Sequence, residues 1–235
     1  MKQEVMWIGA PAERALVFLH EGLGSVAGWR DFPAVVSAAT GLPAMAYSRR
    51  GYGASDPYPG PWPPTFMEEE AALLPALLAR EGIGRPILVG HSDGASIALI
   101  HAAAGGAAEK LALLAPHVLV EPLTEAEIAR FRANAPEMAE RLRRQHGDKA
   151  EAVIDAWSGV WLSDTFRTWN IEALLPRIRC PTLVVQGTAD PYGTGVHAES
   201  IARATGAEIV WLPCGHHPHR EAPAETLAAI VRFVG

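Results

Sequence analysis

Pro86-Ile87-Leu88-Val89-Gly90-His91-Ser92-Asp93-Gly94 is the stretch whose reading decides the fold. Ile87-Leu88-Val89 has the length and composition of a buried strand. Ala95-Ser96-Ile97-Ala98-Leu99-Ile100-His101-Ala102, just beyond, is helix-forming, with small residues beside the turn. Passing from strand to helix in so few residues demands a sharp turn. Gly90 and Gly94 flank Ser92 at two-residue spacing, where a Cβ would collide with the neighbouring strand or helix. Such a turn strains the serine backbone, lifts its Oγ clear of the chain and aims a helix N-terminus at it. Gly-x-Ser-x-Gly in this setting is the pattern of a nucleophile elbow. The pattern alone arises often by chance, so its weight depends on the rest of the chain.

Working outward, an edge strand is expected around Val5 to Ile8. Further apolar runs follow at 15–19, 43–47, 87–89, 111–114, 182–185 and 208–212. Helical patterns at 29–39, 67–80, 95–104, 197–204 and 222–233 separate most of them. Alternating strand and helix predicts an α/β fold, a doubly wound and mostly parallel sheet flanked by helices with right-handed crossovers. Residues 121–176 break the rhythm, with charged amphipathic patterns such as Thr124-Glu125-Ala126-Glu127-Ile128-Ala129-Arg130-Phe131 and no strand. The expected organisation is therefore a core of residues 1–120 and 177–235, with 121–176 as a small helical lid over the carboxyl edge of the sheet.

At 235 residues and 49% hydrophobic, the chain can bury one full α/β core. A net charge of −6 without a basic block argues against a nucleic-acid surface. No apolar stretch approaches membrane-spanning length and no cationic-then-apolar leader opens the chain, which predicts a soluble, cytoplasmic protein. Cys180 opens one strand run and Cys214 follows the next, so the thiols should lie at opposite edges of the sheet, too far apart to bridge. An exposed face of the lid is compatible with a homodimer.

A serine nucleophile needs a base, an orienting acid and donors for the developing oxyanion. In an open α/β sheet these lie in loops at the carboxyl ends of strands. Asp190 stands just beyond the run 182–185 and His216 just beyond 208–212, giving the chain order Ser92, Asp190, His216. His217 and His219 are rivals to His216 in the same loop, and Asp164 near the end of the lid is an alternative acid. His216-His217-x-His219 is not read as a metal site, because adjacent loop histidines diverge and no further ligand group is obvious.

Together with His20-Glu21-Gly22-Leu23-Gly24-Ser25, Arg50-Gly51-Tyr52-Gly53-Ala54-Ser55, Gly187-Thr188-Ala189-Asp190 and Gly215-His216-His217-Pro218, the elbow makes the chain resemble an α/β-hydrolase over almost its whole length. The resemblance implies Ser92 as nucleophile, His216 as general base then acid, and Asp190 as its buried partner. It also implies an oxyanion hole from the backbone N–H groups of Asp93 and Gly22. Two positions depart from the family pattern. Glu21 stands where glycine usually follows the histidine, and its carboxylate should turn away toward a local polar partner. Ser48 replaces a common aspartate and should affect loop support only.

His117, Trp161 and His217 are candidates to line the substrate pocket. Trp157, Trp161, Phe166 and Trp169 are expected for the most part to pack the lid, with one or two of them forming an apolar wall for an acyl or aromatic group. His20 should orient the oxyanion loop, His219 should cap or pair with a group such as Glu221, and Arg49-Arg50 should be structural. The expected activity is hydrolysis of a small carboxylic ester through an acyl-enzyme, with no cofactor. The alternatives are a carbon–carbon hydrolase acting on meta-cleavage products, an enol-lactonase, and a slow-turnover ligand sensor on the same fold.

Overall fold

The computed structural model describes residues 2–235. Its strands are β1 (Val5–Ile8), β2 (Arg14–Leu19), β3 (Ala44–Tyr47), β4 (Arg85–His91), β5 (Lys110–Leu114), β6 (Thr182–Gly187) and β7 (Glu208–Leu212). They form one sheet in the order β1-β3-β2-β4-β5-β6-β7. Among the described residues, β1 is the one strand of the sheet that runs antiparallel, against β3, and the other strand pairs are parallel. β4 is central, and Ile87, Leu88 and Val89 are wholly buried because both faces of the sheet are covered. That is why a buried parallel strand reads as an unbroken apolar run rather than an alternating one. Leu88 packs with Leu111, Leu113 and Val184 on one face, while Ile87 and Val89 join Ala112, Leu114 and Val185 on the other. Full burial of each leucine, isoleucine or valine side chain here contributes about 1.5–3 kcal/mol.

The helices are α1 (Phe32–Thr40), α2 (Phe66–Arg80), α3 (Asp93–Ala103), α4 (Pro122–Ala133), α5 (Ala135–His146), α6 (Ala150–Trp161), α7 (Val196–Thr205), α8 (Pro218–Glu221) and α9 (Pro223–Val234). Residues of α2, α3 and α7 cover the Leu88 face, and those of α1 and α9 the other. The helical pattern expected at 29–39 begins at Phe32 instead. Trp29 closes a short 3-10 turn, and Arg30 breaks the chain with a φ of 55°. The pattern at 222–233 is interrupted likewise: Ala222 is extended between α8 and α9, because Pro223 cannot continue a preceding helix.

Residues 122–161 carry three helices and no strand, and α6 packs against both α4 and α5. Cys180 and Cys214 are free thiols at opposite ends of neighbouring strands. Among the described residues, no helix is long and apolar enough to cross a membrane.

Candidate active site

β4 ends at His91, α3 begins at Asp93, and Ser92 alone joins them with φ 52° and ψ −120°. An L-residue in this region costs about 1–3 kcal/mol and persists only where its surroundings impose it. The surroundings are on both sides. The Ser92 N–H donates to the Leu114 carbonyl on β5 at 2.9 Å, and the Ser92 carbonyl accepts from Ala95 at 2.8 Å. A Cβ on Gly90 would strike the backbone of Gly94 and Ala95, and one on Gly94 would strike the Leu19 and His20 backbone at the end of β2. Both glycines are there for space.

The turns after β6 and β7 bring two further groups to this point. Ser92 Oγ and His216 Nε2 are 2.9 Å apart, and His216 Nδ1 lies 2.8 Å from Asp190 Oδ2 and 3.0 Å from Oδ1. The Tyr192 N–H and the Gln186 side-chain amide also donate to Asp190, at 2.8 and 3.0 Å. Burial alone would raise the Asp190 carboxyl, but the imidazole of His216 and the Tyr192 N–H outweigh it and pull it down to about 2. The His91 ring Nε2 donates to the His216 carbonyl at 2.7 Å, so the elbow also fixes the backbone of the loop that carries the imidazole. Of the alternative acids and bases, none enters this arrangement. The Asp164 side chain is 92% exposed and pairs with Arg167. His217 stands beside the His216 ring, with centroids 5.5 Å apart, outside the hydrogen-bonded chain, and His219 packs against Trp29 and Phe32.

The loop 20–25 is braced from below. Arg49 is buried and donates to the carbonyls of His20 and Glu21, while the His20 ring contacts the Glu21 carbonyl at 2.7 Å. Tyr52 donates to the Gly22 carbonyl at 2.7 Å. Arg50 pairs with the buried Glu70 at 2.6 Å. Both arginines are thus occupied in the scaffold. Ser48 links the Val26 N–H to Glu4, the loop support expected of it. The Glu21 carboxylate faces Arg220 and His91, each 3.6 Å away. Burial opposes its ionisation, yet these two neighbours hold it well below the usual range.

Ser92 opens onto a cavity of about 230 Å³ that is also lined by Gly22, Asp93, His117, Trp161, His216 and His217. A larger groove of about 730 Å³ between Tyr58, Trp62 and α6 contains none of these residues. The His117 ring stands between Trp161 and His216, with centroids 5.5 and 5.6 Å apart, and burial holds it neutral. Burial and the adjoining imidazoles of His91 and His216 push His217 down to about 3. Asp93 is raised to about 6 by burial, against the charge of Arg49 and a hydrogen bond from Trp157.

One expectation fails. His219 neither caps nor pairs with Glu221. α8 turns its ring into Trp29, Phe32 and His91, where it is buried, and Glu221 accepts the N–H groups of Gly215 and His217 instead. Among the described residues, no group of three histidine, cysteine or carboxylate side chains is placed to hold a metal ion.

Much of the cavity wall comes from residues not picked out by their chemistry in the sequence. Ile128 and Phe131 on α4 and Met138 and Leu142 on α5 face it, alongside Trp157 and Trp161 on α6, which the sequence had singled out. Their signal was the three- and four-residue spacing within each helix, which places each pair on one face.

The sequence profile of the alpha/beta hydrolase family matches residues 16–230. This chain belongs to that family. The hydrolase is 28% identical over 231 residues to the protein named serine hydrolase BPHL of Mus musculus, covering 87% of this chain and 73% of the mouse protein. Two solved structures show the same fold. An enol-lactonase from Burkholderia xenovorans LB400 superposes with a TM-score of 0.78 at 19% identity, over 99% of the hydrolase and 96% of that chain. A structure from a study of carboxylesterases of Nitrososphaera gargenis gives 0.81 at 17%, over 99% and 93%.

Proposed function

We propose that this hydrolase cleaves small carboxylic esters through an acyl-enzyme on Ser92. The observation that carries the reading is the unbroken chain of hydrogen bonds from Ser92 Oγ through His216 to Asp190. In this reading Ser92 Oγ attacks the ester carbonyl carbon as His216 Nε2 takes the hydroxyl proton. Asp190 accepts the Nδ1–H, keeps the imidazole in the tautomer whose Nε2 is free, and stabilises the imidazolium. The carbonyl oxygen becomes an oxyanion facing the N–H groups of Asp93 and Gly22. Asp93 is the first residue of α3, so its N–H has no partner within the helix. Each such donor is worth about 3–4 kcal/mol of barrier.

Collapse of the tetrahedral intermediate breaks the ester C–O bond, and His216 returns its proton to the departing oxygen. Water then attacks the acyl-enzyme, giving up a proton to His216, and the acid leaves as Ser92 regains its own. The segment 121–176 acts as a lid that walls the cavity and limits water around the oxyanion. The cycle needs no cofactor. A lactone undergoes the same steps, with the alcohol still tethered.

A panel of p-nitrophenyl acetate and butyrate, an enol-lactone and a meta-cleavage dienone tests the reading. The expected result is a burst of one p-nitrophenolate per active site with the short-chain esters, then slower steady turnover. Turnover of the dienone with no activity on either ester or lactone would reject it in favour of carbon–carbon hydrolysis.

A further inference from the structure

We propose that Trp157, on α6, sets the size of the acyl group that the site accepts; this rests on the acyl-enzyme reading above. The indole is 7% exposed, and its Nε1 donates to Asp93 Oδ2 at 3.1 Å. A Cβ on Gly22 would run into the same nitrogen and the ring carbons beside it. One edge of one side chain therefore lies against both residues assigned to the oxyanion. The ring also meets Phe131 of α4 edge-on, with centroids 5.9 Å apart and an interplanar angle of 89°. Held by a hydrogen bond to a buried carboxyl on one side and an aromatic ring on the other, the indole keeps one position. Its bulk is a fixed limit.

The substituents of the tetrahedral carbon say which group meets that limit. The leaving oxygen must face His216 to receive its proton, and the rings next to His216 on the cavity are Tyr192, His117 and His217. The oxyanion faces Gly22 and Asp93. The acyl chain is left with the wall begun by Trp157 and continued by Ile128, Phe131, Met138 and Leu142, all apolar. The preferred substrate is thus an ester of a short, unbranched aliphatic acid. Removing the indole joins its space to the cavity and lengthens the chain that fits, each extra methylene in an apolar pocket being worth roughly 10-fold or more in specificity.

The test measures kcat/KM for p-nitrophenyl acetate and octanoate in the wild type, Trp157→Ala, Trp157→Leu and Trp157→Phe, with a separate aliquot of each labelled with a fluorophosphonate to show that Ser92 is reactive. The octanoate-to-acetate ratio is expected to rise at least about 10-fold in the alanine variant and by less in the leucine variant. Phenylalanine, which keeps a ring there, should hold the ratio within about threefold. Leucine carries the test if the alanine variant does not fold. A variant that labels at Ser92 yet keeps the wild-type ratio overturns this assignment alone. A wild type that hydrolyses the esters without labelling at Ser92 overturns the acyl-enzyme reading and this inference together.

Discussion

Alanine at position 92 is expected to lower kcat for p-nitrophenyl acetate by about 10⁵- to 10⁶-fold with little change in KM. The substitution removes the atom that forms the covalent intermediate but leaves the cavity, the imidazole and the amide donors in place. What remains is the modest rate that binding and oxyanion stabilisation give to direct attack by water. The variant should melt close to the wild type, because alanine is held in the same backbone conformation of φ 52° and ψ −120°. Glycine at the same position should abolish the burst equally but stabilise the fold by about 1 kcal/mol, since it adopts this conformation without strain. Steady-state rates and thermal melts of the two variants check both points. An alanine variant keeping more than about one part in a hundred of the activity would be incompatible with nucleophilic attack by Ser92.

Asn at position 190 is expected to cost about 10⁴-fold in kcat at neutral pH. The amide keeps the shape of the carboxylate but loses its charge, so the imidazolium is no longer stabilised, and it can hold His216 in the wrong tautomer. The same substitution should leave a pH signature on stability. The Asp190 carboxyl is pulled down to about 2 in the folded protein, below the ordinary value near 3.9 of an unfolded chain. A depressed folded value stabilises the protein at pH above the unfolded one, and that contribution is lost as pH falls toward the folded one. It amounts to about 2 kcal/mol for a side chain that is 1% exposed. Denaturant unfolding at pH 7, 5 and 3 should therefore show the wild type's advantage over Asp190→Asn constant between pH 7 and 5 and reduced at pH 3. An advantage that is the same at all three would contradict the pairing.

The parallel strands and the position of the elbow were legible because a buried parallel strand leaves a continuous apolar run and a glycine-flanked turn leaves no other use for its spacing. Ile87-Leu88-Val89 and Gly90-x-Ser92-x-Gly94 show both. Asp190 and His216 were legible for a related reason: each follows a strand by only a few residues, and the sheet brings those strand ends to one rim. Trp161 apart, what faces the cavity from 121–176 was not. Periodicity says that Trp157 and Trp161 share a face of α6, but nothing local says what that face meets, and the bond from Trp157 to Asp93 joins residues 64 apart. His219 went astray similarly. Its nearest carboxylate in sequence, Glu221, is spent on two backbone N–H groups, while α8 drives the ring into the Trp29–Phe32 cluster.

Every step of the proposed chemistry begins at a hydroxyl 2.9 Å from an imidazole. Peptide mass spectrometry after treatment with a fluorophosphonate tests this most directly. One equivalent of label on Ser92 in the wild type, and essentially none in His216→Ala under the same conditions, is the predicted result. Label on a different serine, or an active enzyme that takes up none, would contradict it.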